Sequence, residues 1–137
     1  MFKPYKRTAN YYETDQMGII HHSNYIRWFE EARIDMLEQL GIGYAQMEKE
    51  GILIPVLSVE CEYRRVVHFY DQVEIRVKLL SFTGVKMEIG YEIFDEKTGE
   101  LCTTGKTSHC FLDRDLKLVM IKRQKPHIYE VLKSAVQ

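Results

Sequence analysis

The longest hydrophobic run of a single period starts at Tyr25. Tyr25, Phe29, Ala32, Met36 and Leu40 recur at steps of four, three, four and four, one apolar stripe along a helix. Ile26, Trp28 and Leu37 widen the stripe, so this helix is expected to be embedded on more than one side. Ser23 stands where an N-cap would, and Gly41 where a terminating glycine would. Residues 43–50 suit a short second helix closed by Gly51. From Ile52 the period changes to two. Leu57, Val59, Cys61 and Tyr63 alternate with polar residues; so do Val73, Ile75, Val77 and Leu79, then Val85, Met87, Ile89, Tyr91 and Ile93. Such alternation predicts half-buried strands. The links 81–84 and 95–100 have hairpin length and carry glycine. The threonine-rich stretch 100–112 predicts a further strand, and the aromatic stretch 5–13 a first one. Pro126 opens a helical tail that runs to residue 135. One long helix followed by successive antiparallel strands predicts an α+β domain spanning residues 1–137, with a sheet of about five strands curled round the helix.

Composition narrows the function classes. With 137 residues, 45% hydrophobic and 28% charged, the chain can bury one substantial core. Its formal net charge of −1 leaves no broad basic field for nucleic acid. No run reaches the roughly 18–20 apolar residues of a membrane span, and the start lacks a signal-peptide core. Cys61, Cys102 and Cys110 cannot all pair within the chain and form no CxxC, which points to a reducing cytoplasm. The five histidines show no metal-ligand spacing, and neighbours His21 and His22 point apart on regular structure, so no metal or cofactor is expected.

The chemistry concentrates in Tyr12-Glu-Thr-Asp-Gln-Met-Gly-Ile-Ile-His-His-Ser-Asn-Tyr25, which leads into the long helix. The first N–H groups of a helix lack intrahelical partners and carry about half a positive charge. Fixed beforehand, they can hold a carbonyl oxygen as it turns negative. Asp15, across a loop bent at Gly18, can face that carbonyl as nucleophile or as base for water. Spacing alone favours a plainer reading, an Asx-turn in which Asp15 bonds only its own backbone. By the same measure Tyr25 reads as core, His22 as a surface residue, and Cys61 and Cys110 as small core residues.

The run Tyr12-Glu-Thr-Asp15-x-x-Gly18-x-x-x-His22-x-x-Tyr25, followed by Trp28-Phe-Glu30-x-Ala-Arg33, resembles the hotdog-fold acyl-CoA thioesterases of the 4-hydroxybenzoyl-CoA type. It is also similar to the bacterial thioesterase branch associated with the Tol–Pal envelope system. Phe69-Tyr-Asp-Gln-Val-Glu-Ile75 looks like that family's approach to its third strand. The resemblance implies a hotdog fold and a homodimer joined edge to edge, and leaves open whether dimers pair into tetramers. It implies an acyl-CoA substrate, Asp15 as catalytic carboxylate and the His22 backbone N–H as carbonyl donor. Gly18, Tyr25 and Glu30 match positions that shape or support the acyl pocket, and Lys86 lies in a turn that meets coenzyme A in the 4-hydroxybenzoyl branch.

The sequence departs from the family at three places. Glu30 stands where the aromatic-substrate branch has a shorter acid, so an aryl preference does not carry over. Histidine stands at the donor position, and the coenzyme-facing turn has Lys86 without further bases, which leaves Arg64 and Arg65 as alternative phosphate partners. Two other readings stay open. Hotdog hydratases place a histidine five residues after the aspartate with Asn-Pro between, whereas His21 and His22 follow Asp15 by six and seven. A non-catalytic acyl-binding module is the other, although a pure binder has no evident need for the charge of Asp15.

Overall fold

The stripe that begins at Tyr25 becomes the central helix α1 (Ser23–Gln39), in the computed structural model describing residues 1–137. Tyr25, Trp28, Phe29, Ala32, Met36 and Leu37 are all buried along it. The other elements are β1 (Tyr5–Thr8), α2 (Tyr44–Lys49), β2 (Val56–Tyr63), β3 (Gln72–Phe82), β4 (Lys86–Asp95), β5 (Leu101–Cys110), α3 (Ile121–Gln124) and α4 (Pro126–Ala135). All strand pairs are antiparallel, in the spatial order β1-β3-β4-β5-β2. Strands β3, β4 and β5 form a meander, while β2 crosses to the far side and pairs with β5.

The period-two faces of the meander enclose α1. Val73, Ile75 and Leu79 of β3 and Met87, Ile89 and Ile93 of β4 are wholly buried. Burial of each such side chain contributes about 1.5–3 kcal/mol. Phe29 stacks on Tyr91, with ring centroids 4.4 Å apart and planes 16° from parallel. The opening for Phe29 is made by Gly105, which pairs with Tyr91 in the sheet: a Cβ there would collide with the Phe29 ring. Helix α4 closes one end through buried Ile128 and Leu132, and Gln137 N–H donates to Leu79 C=O at 2.9 Å.

Three expectations are corrected. The first strand stops at Thr8 rather than continuing to residue 13. Asn10 begins a 3-10 turn over Tyr11–Glu13, and the Glu13 carboxylate accepts the Asn10 N–H at 2.9 Å. Ser23 is not the N-cap. His22 already has helical angles (φ −55°, ψ −29°), so the Ser23 hydroxyl sits one residue too late to receive the first amides. The acceptor is instead His21 Nδ1, which takes the Ser23 N–H at 3.2 Å. Finally, β2 is not half-buried. It is an edge strand, and its apolar Val56, Leu57, Val59 and Tyr63 are exposed because nothing within the chain covers that border.

Candidate active site

A small irregular hairpin carries Asp15. Asp15 N–H donates to Ile19 C=O at 2.8 Å, and Gly18 N–H returns to Asp15 C=O at 3.1 Å. Gly18 has φ +78°, a left-handed angle that other residues adopt only with strain. The Met17 N–H donates to Asp15 Oδ1 at 2.8 Å, so the Asx-turn does form. It uses one carboxylate oxygen, and Oδ2 makes no hydrogen bond within the chain. The hairpin is anchored to the segment before β3, where Ile20 N–H donates to Val67 C=O at 2.8 Å.

Eight residues on, the chain enters α1. The His22 C=O accepts the Tyr63 hydroxyl at 3.1 Å, tying the helix entrance to the last residue of β2. The His22 N–H has no acceptor in the chain. The His22 imidazole stacks on His21, with centroids 4.2 Å apart, and is exposed. Tyr25 is buried between Trp28 and Tyr63, at centroid distances of 5.2 and 5.1 Å. Burial pushes its phenol well above the ordinary value, so it stays a neutral hydroxyl.

Asp15, His22 and Tyr25 line one cavity of about 220 Å³. Met17, Ile19 and Val66 supply apolar wall, and Arg64 and Arg65, whose side chains are 53% and 63% exposed, complete it. The other positions expected from the sequence are distributed differently. Gly18 shapes the Asp15 turn without lining the cavity. Glu30 is exposed on α1, 3.9 Å from Arg33, and Lys86 is exposed at the start of β4 opposite Cys110; neither reaches the cavity. No group of three or more His, Cys, Asp or Glu side chains is arranged to hold a metal ion.

The support beneath the site was not foreseen. The Glu13 carboxylate, only 5% exposed, accepts Arg7 at 2.9 Å and the Trp28 indole N–H at 2.8 Å. The Glu13 C=O accepts His21 N–H at 2.9 Å and Asn24 Nδ2 at 2.8 Å. Two residues before Asp15, Glu13 thus locks β1, the loop and α1 into one unit, and its buried charge is matched by Arg7. Its signal was present as Asn10-x-x-Glu13, the spacing of a capping box.

This arrangement combines a carboxylate with a free oxygen, an unpaired N–H at a helix start, apolar walls and two guanidinium groups. A family model described as the thioesterase-like superfamily matches residues 10–136. A Bacillus subtilis (strain 168) relative, provisionally named the acyl-CoA thioesterase YneP, is 32% identical over 128 residues, covering 93% of this chain and 92% of its own. The DHNA-CoA thioesterase of Staphylococcus aureus has the same architecture, with a TM-score of 0.91 at 36% identity over 96% of this chain and 88% of that one. The hypothetical protein TT1821 of Thermus thermophilus gives a TM-score of 0.89 at 30% identity over 96% and 98%. The chain belongs to the thioesterase-like superfamily, and its central helix wrapped by a five-stranded antiparallel sheet is the hotdog fold.

Proposed function

We propose that this thioesterase hydrolyses acyl-CoA, with Asp15 as the reacting carboxylate and the His22 amide as donor to the thioester carbonyl oxygen. The observation that best supports the reading is the meeting in one cavity of a carboxylate with an uncommitted oxygen and a backbone N–H without an acceptor. As the carbonyl carbon is attacked, its oxygen gains negative charge next to the positive end of α1. A donor fixed beforehand stabilises that charge without reorganising. The Tyr63 and Glu13 hydrogen bonds on either side of His22 supply the fixing.

Asp15 acts in one of two ways. It adds to the carbonyl carbon, expelling the coenzyme A thiolate and leaving a mixed anhydride that water opens. Alternatively it takes a proton from the water that attacks. Both routes give free acid and coenzyme A, and the thiolate needs little protonation to leave near pH 7. The donor is a main-chain group, so His22→Ala keeps most activity. Glu30 and Lys86 have no role in this reading. The bare border of β2 supports a homodimer in which a second copy pairs along Val56–Tyr63. Sedimentation velocity separates this dimer from a monomer or a tetramer.

The test is Asp15→Asn, which retains the Met17 N–H acceptor and removes the charge. Release of free thiol across a panel of aliphatic and aromatic acyl-CoA substrates should fall by about 10²–10⁴-fold, with the unfolding midpoint little changed. Turnover at the parental rate would rule out Asp15 as the reacting group.

A further inference from the structure

We propose that Arg64 and Arg65 hold the diphosphate of coenzyme A at the mouth of the cavity. The inference builds on the acyl-CoA reading above and names the part of the substrate that the catalytic groups do not touch. The cavity lining holds one carboxylate, Asp15, and two guanidinium groups, Arg64 and Arg65. The backbone of the two arginines is held in place. Arg64 N–H and Arg65 N–H both donate to the Cys102 C=O, at 2.9 and 3.0 Å, which pins this backbone to the start of β5. Both side chains therefore leave from a fixed stretch of chain beside the cavity.

Each has a carboxylate neighbour now. Arg64 lies 3.1 Å from Glu62 and Arg65 lies 2.9 Å from Glu100, with all four side chains at least half exposed. Exposed pairs of this kind contribute little, so exchanging the two carboxylates for the two negative charges of a diphosphate costs little. A guanidinium matches phosphate oxygens in a two-pronged geometry that an ammonium lacks. The heads of Arg64 and Arg65 are more than half exposed, so they lie on the solvent side of the cavity that Asp15 lines, where the polar end of a thioester substrate would leave it. Lys86 at the start of β4 is outside this mouth and does not compete for the same phosphates.

Calorimetric binding of free coenzyme A, 4′-phosphopantetheine and pantetheine to the whole chain tests the assignment without requiring turnover. Coenzyme A should bind at least about tenfold more tightly than pantetheine, with phosphopantetheine between them. R64Q/R65Q should erase that margin and leave pantetheine affinity unchanged, while R64K/R65K should restore part of it. The single variants R64Q and R65Q should each lose part of the margin, giving the same test should the double variant not fold. Salt should weaken coenzyme A binding in the parent more steeply than in R64Q/R65Q. An unchanged coenzyme A affinity in R64Q/R65Q, or an equal loss for coenzyme A and pantetheine, would overturn the proposal. So would phosphopantetheine binding as tightly as coenzyme A, which points to the single phosphate presented by a carrier protein. Arginine-dependent binding of coenzyme A by a chain that splits no acyl-CoA would uphold this inference and sink the hydrolase reading; hydrolysis with arginine-independent binding would do the reverse.

Discussion

Acid should remove a defined share of this protein's stability through one histidine. His109 of β5 is wholly buried. Arg33 donates to the Tyr91 hydroxyl at 3.1 Å, Tyr91 contacts the Thr107 hydroxyl at 2.7 Å, Thr107 contacts His109 Nε2 at 2.7 Å, and His109 Nδ1 lies 3.2 Å from Pro55 C=O. Arginine can only donate and a carbonyl can only accept, so the protons in this chain have one consistent order: Tyr91 donates to Thr107, Thr107 to Nε2, and Nδ1–H to Pro55. The imidazole must be neutral. Burial, and then the Arg33 charge, push its pKa down to about 4 from an ordinary 6.5. Between those values the unfolded chain binds a proton that the native chain refuses. The contribution is therefore full above about pH 6.5 and is lost as the pH falls toward about 4. At about 1.4 kcal/mol per pH unit, the gap amounts to about 3 kcal/mol. Urea unfolding at pH 7, 6, 5 and 4.5, at one protein concentration, measures it. His109→Gln supplies an amide that cannot titrate. Its deficit against the parent should shrink by most of that amount across the series. Parallel stability curves for the two proteins would refute the reasoning, because the acid loss would then belong to other groups.

Gly105→Ala puts a methyl group where the Phe29 ring packs, and should lower stability by about 1–3 kcal/mol in chemical denaturation. Glu13→Gln leaves Arg7 without its buried counter-charge, and should cost about 3 kcal/mol in the same measurement, with reduced thiol release because the anchor of the His21 amide loosens. Val59→Lys on the bare border should shift sedimentation from dimer toward monomer while the far-ultraviolet circular dichroism stays the same.

Much of the frame was legible because one face of each element meets a single partner. The α1 stripe and the β3 and β4 alternation each report a side that is dry in the folded chain. The crossing of β2 to the far side of β5 was not legible, since alternation records which faces are buried and says nothing about neighbours. On β2 the alternation misled as well: its apolar residues mark a border that no other part of this chain covers. At the site, the resemblance picked out Asp15, His22 and Tyr25 where spacing alone favoured plainer readings, and one cavity brings them together. Glu13 escaped notice because a buried carboxylate depends on Arg7 and Trp28, which reach it from β1 and from α1, fifteen residues further along the chain. Such long-range compensation has no periodic trace. Even the helix start was misplaced by a residue, as His21 took over the task that Ser23 was expected to perform.

Tyr63 closes β2 and also grips the carbonyl at the mouth of α1. A strain applied along that free border has a direct mechanical route to the peptide group next to the cavity. In the proposed dimer, docking a second subunit there would stiffen the route and detaching it would slacken it, so a single phenol would couple assembly to turnover.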